Sequence, residues 1–163
     1  MEINGWSLYG HAIFIDDVTA LLDDVEARVR ANARDAAASP AYALLKCVMT
    51  SVRVRVPQNP DHPDFRLGKT IGRGNGHWRR VKKGMPNRYR LFFQFLSKAP
   101  KSITYAWFND ETTLRKAGDR SDCYAVFKAH VAAGRIPNDY AQLKAGAMEL
   151  PDNFRMPEPA GKP

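Results

Sequence analysis

HWRRVKKGMPNRYRLFFQF, residues 77–95, decides the fold. It reads as two antiparallel strands around a turn at Gly84-Met85-Pro86-Asn87, where Gly, Pro and Asn supply the turn chemistry. Side chains of a strand alternate between the two faces of a sheet. On the second strand Tyr89, Leu91, Phe93 and Phe95 fall on one face, with Arg88, Arg90, Phe92 and Gln94 on the other. On the first, Val81 joins the apolar set, while Trp78, Arg80 and Lys82 oppose it. One face suits a core. The other gathers Arg80, Lys82, Arg88 and Arg90, and crowded like charges repel unless an anion normally lies among them. A phosphodiester is the expected anion.

The charge of the whole chain points to the same place. Residues 1–64 hold six Lys/Arg against nine Asp/Glu, and residues 110–163 hold eight of each. Residues 65–109 hold eleven Lys/Arg and no acid, so the net +8 has its source around the hairpin. A localised basic block suggests a polyanion site, where an evenly basic chain would suggest only general stickiness. At 163 residues, 44% apolar and 26% charged, the composition is that of a soluble globular domain. There is no apolar run long enough to span a membrane and no basic-then-apolar leader, so neither a membrane partner nor secretion is expected. Cys47 and Cys123 sit in amphipathic patterns and read as free thiols, which fits a cytoplasmic protein.

Working outward, residues 3–14 read as a short strand or extended lead-in. Val18, Leu21, Leu22, Val25 and Val29 predict an amphipathic helix over 17–33, capped by Asp16-Asp17. Ser39-Pro40 starts a second helix to about residue 55, burying Leu44, Leu45, Val48 and Val52. Pro57, Pro60 and Pro63 mark a linker into the glycine-rich, basic RLGKTIGRGNG. This is not a nucleotide loop: Pro63 stands where the Walker spacing needs Gly, and a strand rather than a helix follows the glycines. It reads as a basic loop beside the hairpin, with Lys69 and Arg73 in reach of a nucleic-acid backbone. SITYAWF, residues 102–108, is apolar on both faces and predicts a buried central strand. Ser121 caps a helix carrying Tyr124, Val126, Phe127, His130 and Val131, and a short helix follows from Pro137 to about Lys144. The expected fold is α+β: an N-terminal helical hairpin packed on a small, mainly antiparallel sheet of three or four strands, with C-terminal helices. Residues 1–149 form one domain, and the proline-rich 150–163 a disordered tail.

NGWSLYGH, FRLGK, WRRVK, RYRLFF, WFNDETTLR and DCYAVF, in this order over about residues 4–143, resemble the YhaV family of bacterial toxin ribonucleases. That family is similar to the RelE-like toxin superfamily. The resemblance implies an endoribonuclease acting on mRNA at translating ribosomes, needing no cofactor and neutralised by a PrlF-type antitoxin. It carries over Arg80 and Lys82 from a basic-x-basic strand, Arg90 from the next strand, and Arg115 and Tyr124 from the segment after the last strand.

RNA brings its own nucleophile, the 2′-hydroxyl. Arg80 and Arg90 are expected to grip phosphate oxygens with forked N–H groups. Lys82 serves as general base or phosphate clamp. Arg88, Lys69, Arg73, Arg79, Arg115 and Tyr124 are expected to bind RNA, although Tyr124 equally suits a place in the core. Of the histidines only His77 adjoins the basic face, and His130 lies near an apolar stripe. Asp110 and Glu111 are adjacent rather than on one face, so no metal is expected; Asn109-Asp110-Glu111 reads as the turn out of the central strand, with orientation of Arg115 as the alternative. Trp78 and Trp107 are candidates for base stacking, with packing favoured for Trp107. The competing readings are binding without cleavage and a toxin that inhibits a topoisomerase by protein contact.

Overall fold

The computed structural model describes residues 1–157. The chain opens with a hairpin, β1 (Glu2–Ile3) and β2 (Trp6–His11), turned by Asn4 and Gly5 at φ 52° and 79°. Helix α1 (Ala12–Ala31) starts directly from β2, with the His11 ring accepting the Ile13 N–H. The corner is tight: a Cβ on Gly10 would stand 2.7 Å from Ile15 Cδ1 and 2.8 Å from Phe14 Cδ1. The helix therefore begins five residues before the expected Asp17, inside what read as the lead-in.

Asn32 caps the short α2 (Ala33–Ala37), and Ser39 caps α3 (Pro40–Thr50), its hydroxyl 3.2 Å from Tyr42 N. The second helix runs on through a π-helical turn, Ser51–Arg55, into α4 (Val56–Gln58). Pro63–Phe65 form one 3₁₀ turn, and residues 67–78 contain no strand or helix. Then come β3 (Arg79–Val81), β4 (Leu91–Leu96), β5 (Ser102–Phe108), α5 (Cys123–Ala132), α6 (Tyr140–Ala145) and β6 (Ala147–Glu149). Asp122, one residue after the expected Ser121, is the cap of α5.

The sheet has the order β1-β2-β5-β4-β3, with β6 on the remaining length of the β2 edge. Its β1–β2, β2–β6, β3–β4 and β4–β5 pairs are antiparallel, whereas β2–β5 is parallel. Six strands replace the three or four expected. Among the described residues the additions are β1 and β6, while the stretch 3–14, read as a strand or lead-in, supplies β2, which pairs with the distant β5 and β6.

Two cores lie on the two sides of this sheet. Phe14, Val18 and Val25 of α1 and Leu45 and Val48 of α3 pack with Leu91, Phe93, Ile103 and Tyr105. On the opposite side Phe127 of α5 and Leu143 of α6 pack with Trp78, Phe92 and Trp107. Full burial of each such side chain contributes roughly 1.5–3 kcal/mol. The Phe92 and Phe127 rings stack at 4.0 Å, and Trp78 meets Phe127 edge-on at 4.8 Å. Trp78 is fully buried with its indole N–H on Asn138, so its face is not open to a base.

A bulge opposite Phe92/Phe93 skips Ala106, since Phe92 pairs with Trp107 and Phe93 with Tyr105. It turns Ala106 and Trp107 to the same side. The tail expected to be disordered from residue 150 is anchored at Leu150 and Phe154, with Pro151, Asp152 and Asn153 exposed between them. Leu150 donates its N–H to Leu8 O, Phe154 is buried beside Phe14, and Arg53 holds the Phe154 carbonyl at 2.6 Å. Apolar Leu150 and Phe154 outweigh the prolines around them; residues 158–163 lie outside the described residues. Among those described, no helix is long and apolar enough to cross a membrane.

Candidate nucleic-acid site

The alternation of β3 sends Arg79 and Val81 to the side of the helical hairpin and Arg80 to the side of α5. Arg80 pairs across the ladder with Phe92. Its Nε donates to Tyr124 Oη at 2.8 Å, and its Nη1 donates to the carbonyls of Asp64 and Arg66 at 3.1 and 3.0 Å. Arg90, one residue before β4, is 93% buried on the same side: its Nε donates to the same Tyr124 Oη at 3.1 Å and its Nη1 to Tyr89 O at 2.8 Å.

Two guanidinium groups thus meet on one phenol oxygen. Neither has a carboxylate partner among the described residues, although crowded cations ordinarily recruit one. Both leave Nη2 without a protein acceptor. The one buried side-chain nitrogen without a partner among the described residues is Arg79 Nε, so both Nη2 groups are reached from solvent.

Tyr124 itself is fixed from three directions. Its ring packs edge-on against Phe92 at 5.7 Å, and the Arg115 guanidinium lies over it at 4.9 Å. Its backbone N–H donates to Asp122, the cap of α5. Asp122 also accepts Arg115 Nη1 and Lys116 N, each at 2.6 Å. Burial pushes the Asp122 carboxyl up, but the Arg115 guanidinium and the Lys116 and Tyr124 amides outweigh it and hold it below its usual value of 3.8. The neighbouring Cys123 thiol is pushed up to about 11 by burial and by Asp122, so it is no thiolate nucleophile at neutral pH.

A second organiser is Asn109, fully buried at the end of β5. Its Oδ1 accepts Arg90 N at 2.7 Å, and its Nδ2 donates to Arg88 O and Thr113 O at 3.1 and 2.8 Å. Asn109 thereby ties the backbone on both sides of Tyr89 to the loop that carries Arg115. Asp110 closes that loop on Thr112 and Thr113, as the turn reading expects.

The structure brings together Arg80, Arg90, Arg115 and Tyr124, and sets Arg88 at their edge. Arg88 is not in a strand: it lies in the turn at φ 70°, with Nε donating to Arg115 O at 3.0 Å. Lys82 lies just past β3, exposed and without a hydrogen bond or ion pair among the described residues. Lys69 and Arg73 are exposed in the glycine-rich segment. Arg79 is the residue that departs, being engaged on the opposite face by Asp61 at 3.1 Å and by the Phe95 ring. His77 bonds Asn138, and His130 takes Arg135 Nε and packs on Trp107, so neither joins the cluster.

Sequence reading gave Asn109 to the turn out of the central strand, with orientation of Arg115 as the alternative, but did not see how closely it binds Arg90, and it missed Asp122 as an organiser. Their signals were a polar residue closing an all-apolar strand and an acid two positions before Tyr124. Among the described residues no three His, Cys, Asp or Glu lie together as a metal site.

A larger concavity of about 520 Å³ runs between α1 and α5, but Asp17, Asp24, Asp110 and Glu111 rim it. Its sign is wrong for a polyanion. The arginine cluster carries the opposite sign.

Residues 8–148 match the model of a family described as a toxin with endonuclease activity, of a toxin–antitoxin system. The chain is 39% identical over 143 residues to the toxin YhaV of Escherichia coli O6:H1, covering 87% of this chain and 92% of the relative. Identity and coverage are the same for the ribonuclease toxin YhaV of Escherichia coli K12 and for the toxin YhaV of Escherichia coli O157:H7. No solved structure matches. The chain therefore belongs to the YhaV family of toxins with endonuclease activity, of toxin–antitoxin systems.

Proposed function

We propose that this toxin is an endoribonuclease that holds a phosphodiester of mRNA between Arg80 and Arg90 and cleaves it without metal. The observation that carries the reading is the meeting of two guanidinium groups, free of carboxylates, on the Tyr124 hydroxyl. The relative from Escherichia coli K12 is a ribonuclease toxin, which supports RNA as the polymer.

In this mechanism the 2′-oxygen attacks the phosphorus and the bond to the 5′-oxygen breaks. The products are a 2′,3′-cyclic phosphate and a 5′-hydroxyl. Arg80 and Arg90 present their Nη2 groups to the phosphoryl oxygens, where negative charge grows in the transition state. Lys82 takes the 2′-hydroxyl proton. Both lone pairs of Tyr124 Oη face arginine donors, so its own proton is the one available to give to the departing 5′-oxygen. Arg88 and Arg115 carry the flanking backbone, with Lys69 and Arg73 beyond them. Arg79, engaged by Asp61 and the Phe95 ring on the opposite face, takes no part in this contact.

The wider reading is a RelE-like fold, a cytoplasmic location, action on translating ribosomes and neutralisation by a PrlF-type antitoxin. Product analysis tests the chemistry. Purified protein with a defined RNA in excess chelator, alone and on ribosomes, is expected to leave cyclic-phosphate ends. Intact RNA in both reactions returns the protein to binding without cleavage or to a protein target such as a topoisomerase.

A further inference from the structure

Beside the arginine cluster lies a cavity of about 440 Å³, between the start of α5, the 115–120 loop and Thr70 of the glycine-rich segment. It falls within the range of ligand-binding cavities, about 300–1,000 Å³. Tyr124 and Arg115 line it, so it is continuous with the cluster.

Its acids are already engaged. Asp122 holds Arg115 and Lys116 N. Asp119 accepts the Ser121 N–H and hydroxyl at 2.8 and 2.7 Å and faces Lys116 Nζ at 3.4 Å. Its remaining cations are not engaged. Arg120 and Lys128 are exposed and have no hydrogen bond or ion pair among the described residues. Two unpaired cations lining one cavity, beside a site proposed to grip a phosphodiester, favour a second phosphate there.

We infer that this cavity is a nucleotide subsite next to the scissile phosphate, with the flanking phosphate held by Arg120 and Lys128. The inference rests on the RNA reading above. It gives the polynucleotide a direction: from the cluster the chain runs along α5, walled by the glycine-rich segment, rather than over the Arg79 face.

The test uses a fluorescein-labelled octanucleotide, 2′-O-methylated throughout so that it binds without being cut. Its affinity is followed by anisotropy over a salt series. The double variant Arg120→Ala/Lys128→Ala is compared with Lys46→Ala/Lys98→Ala, which removes the same charge at exposed positions outside the cavity. The subsite variant is expected to lose about 10-fold in affinity, and its slope of log affinity against log salt to fall by about 1.4, at ~0.7 per lost phosphate contact with single strands. The control is expected to stay within about 2-fold of wild type with its slope unchanged, because distant exposed charge acts only through screened long-range attraction. Equal losses in the two variants, or none in either, overturn the subsite and leave the RNA reading standing. A wild-type protein that binds no RNA at any salt overturns both.

Discussion

Arg80 and Arg90 share a hydrogen-bond acceptor but not a role in stability. Arg80 is half-buried and satisfied mostly by backbone carbonyls, so Arg80→Ala should melt within a few degrees of wild type. Its cleavage rate should fall about 100- to 1,000-fold, the usual effect of removing one preorganised donor from a site of growing negative charge. Arg80→Lys keeps the charge without the fork, and should recover only a small part of that rate. Tyr124→Phe is the sharper probe. It keeps the ring against Phe92 and under Arg115, and removes only the oxygen on which the two guanidiniums meet. Stability should fall by about 1–2 kcal/mol as the buried arginine Nε groups lose their acceptor. Single-turnover cleavage should fall far more steeply than RNA affinity. A variant that cleaves at the wild-type rate would remove Tyr124 from the chemistry. Arg88, held at positive φ, shows why face-counting reached only part of the site: a one-residue reversal of the backbone carries its side chain to Arg115 O without any strand.

At the scale of elements, the site is assembled where two strand ends and a helix start are tied together. Asn109 fastens β4 to the loop after β5, and Asp122 fastens that loop to α5. Asn109→Ala leaves the buried Arg90 N–H without its acceptor and Thr113 O without its donor, while Arg88 O keeps the Arg115 N–H, at a cost of about 1–3 kcal/mol. It should lower both the melting temperature and the cleavage rate, with the rate recovering least at low temperature if Arg90 and Arg115 lose their registration. Asp122 makes a pH statement. Its folded carboxyl titrates below 3.8, so its contribution is fully present above that value and is lost as pH falls through the lower folded value. Asp122→Asn should therefore be less stable than wild type at pH 7, with the gap in melting temperature closing as pH falls below 3.8 and through the lower folded value. The helices, β3, β4 and β5 were legible in sequence because each carries its own periodicity. The arginine convergence was legible because β3 and β4 are neighbours in the chain. Asn109 was legible only as a turn residue that could orient Arg115, and Asp122 not at all, since a polar residue at an element's end looks the same whether it faces water or holds a site together.

Across the whole molecule, what sequence could not show is how distant segments meet. Nothing in WSLYGH announces that it will lie parallel to SITYAWF, and AME at 147–149 is too short and too exposed to carry a pattern. That β2–β5 pairing places α1 across the end of β5, and so brings Asp17 within electrostatic reach of Asp110. The basic middle third and the acidic first third thus end as two surfaces of opposite sign, the arginine cluster and the α1–α5 groove. The groove pays a measurable penalty. Burial, then Asp110, then Asp16 raise the Asp17 carboxyl from 3.8 to about 6, while burial and Arg135 lower His130 and so weaken what it could contribute in compensation. The sign follows from proton binding. Between about 3.8 and 6 the folded chain holds a proton on Asp17 that the unfolded chain has released, so stability falls as pH rises through this window. Above about 6 the penalty is complete. Because the carboxyl sits at a rim open to water, screening should hold the effect to under about 1 kcal/mol. Asp17→Asn should then melt a few degrees above wild type at pH 7.5 and level with it at pH 4, while cutting RNA as wild type does. Equal melting temperatures at both pH values would show that the groove's carboxylates do not strain one another, and that the sheet's one parallel pairing joins α1 to β5 without electrostatic cost.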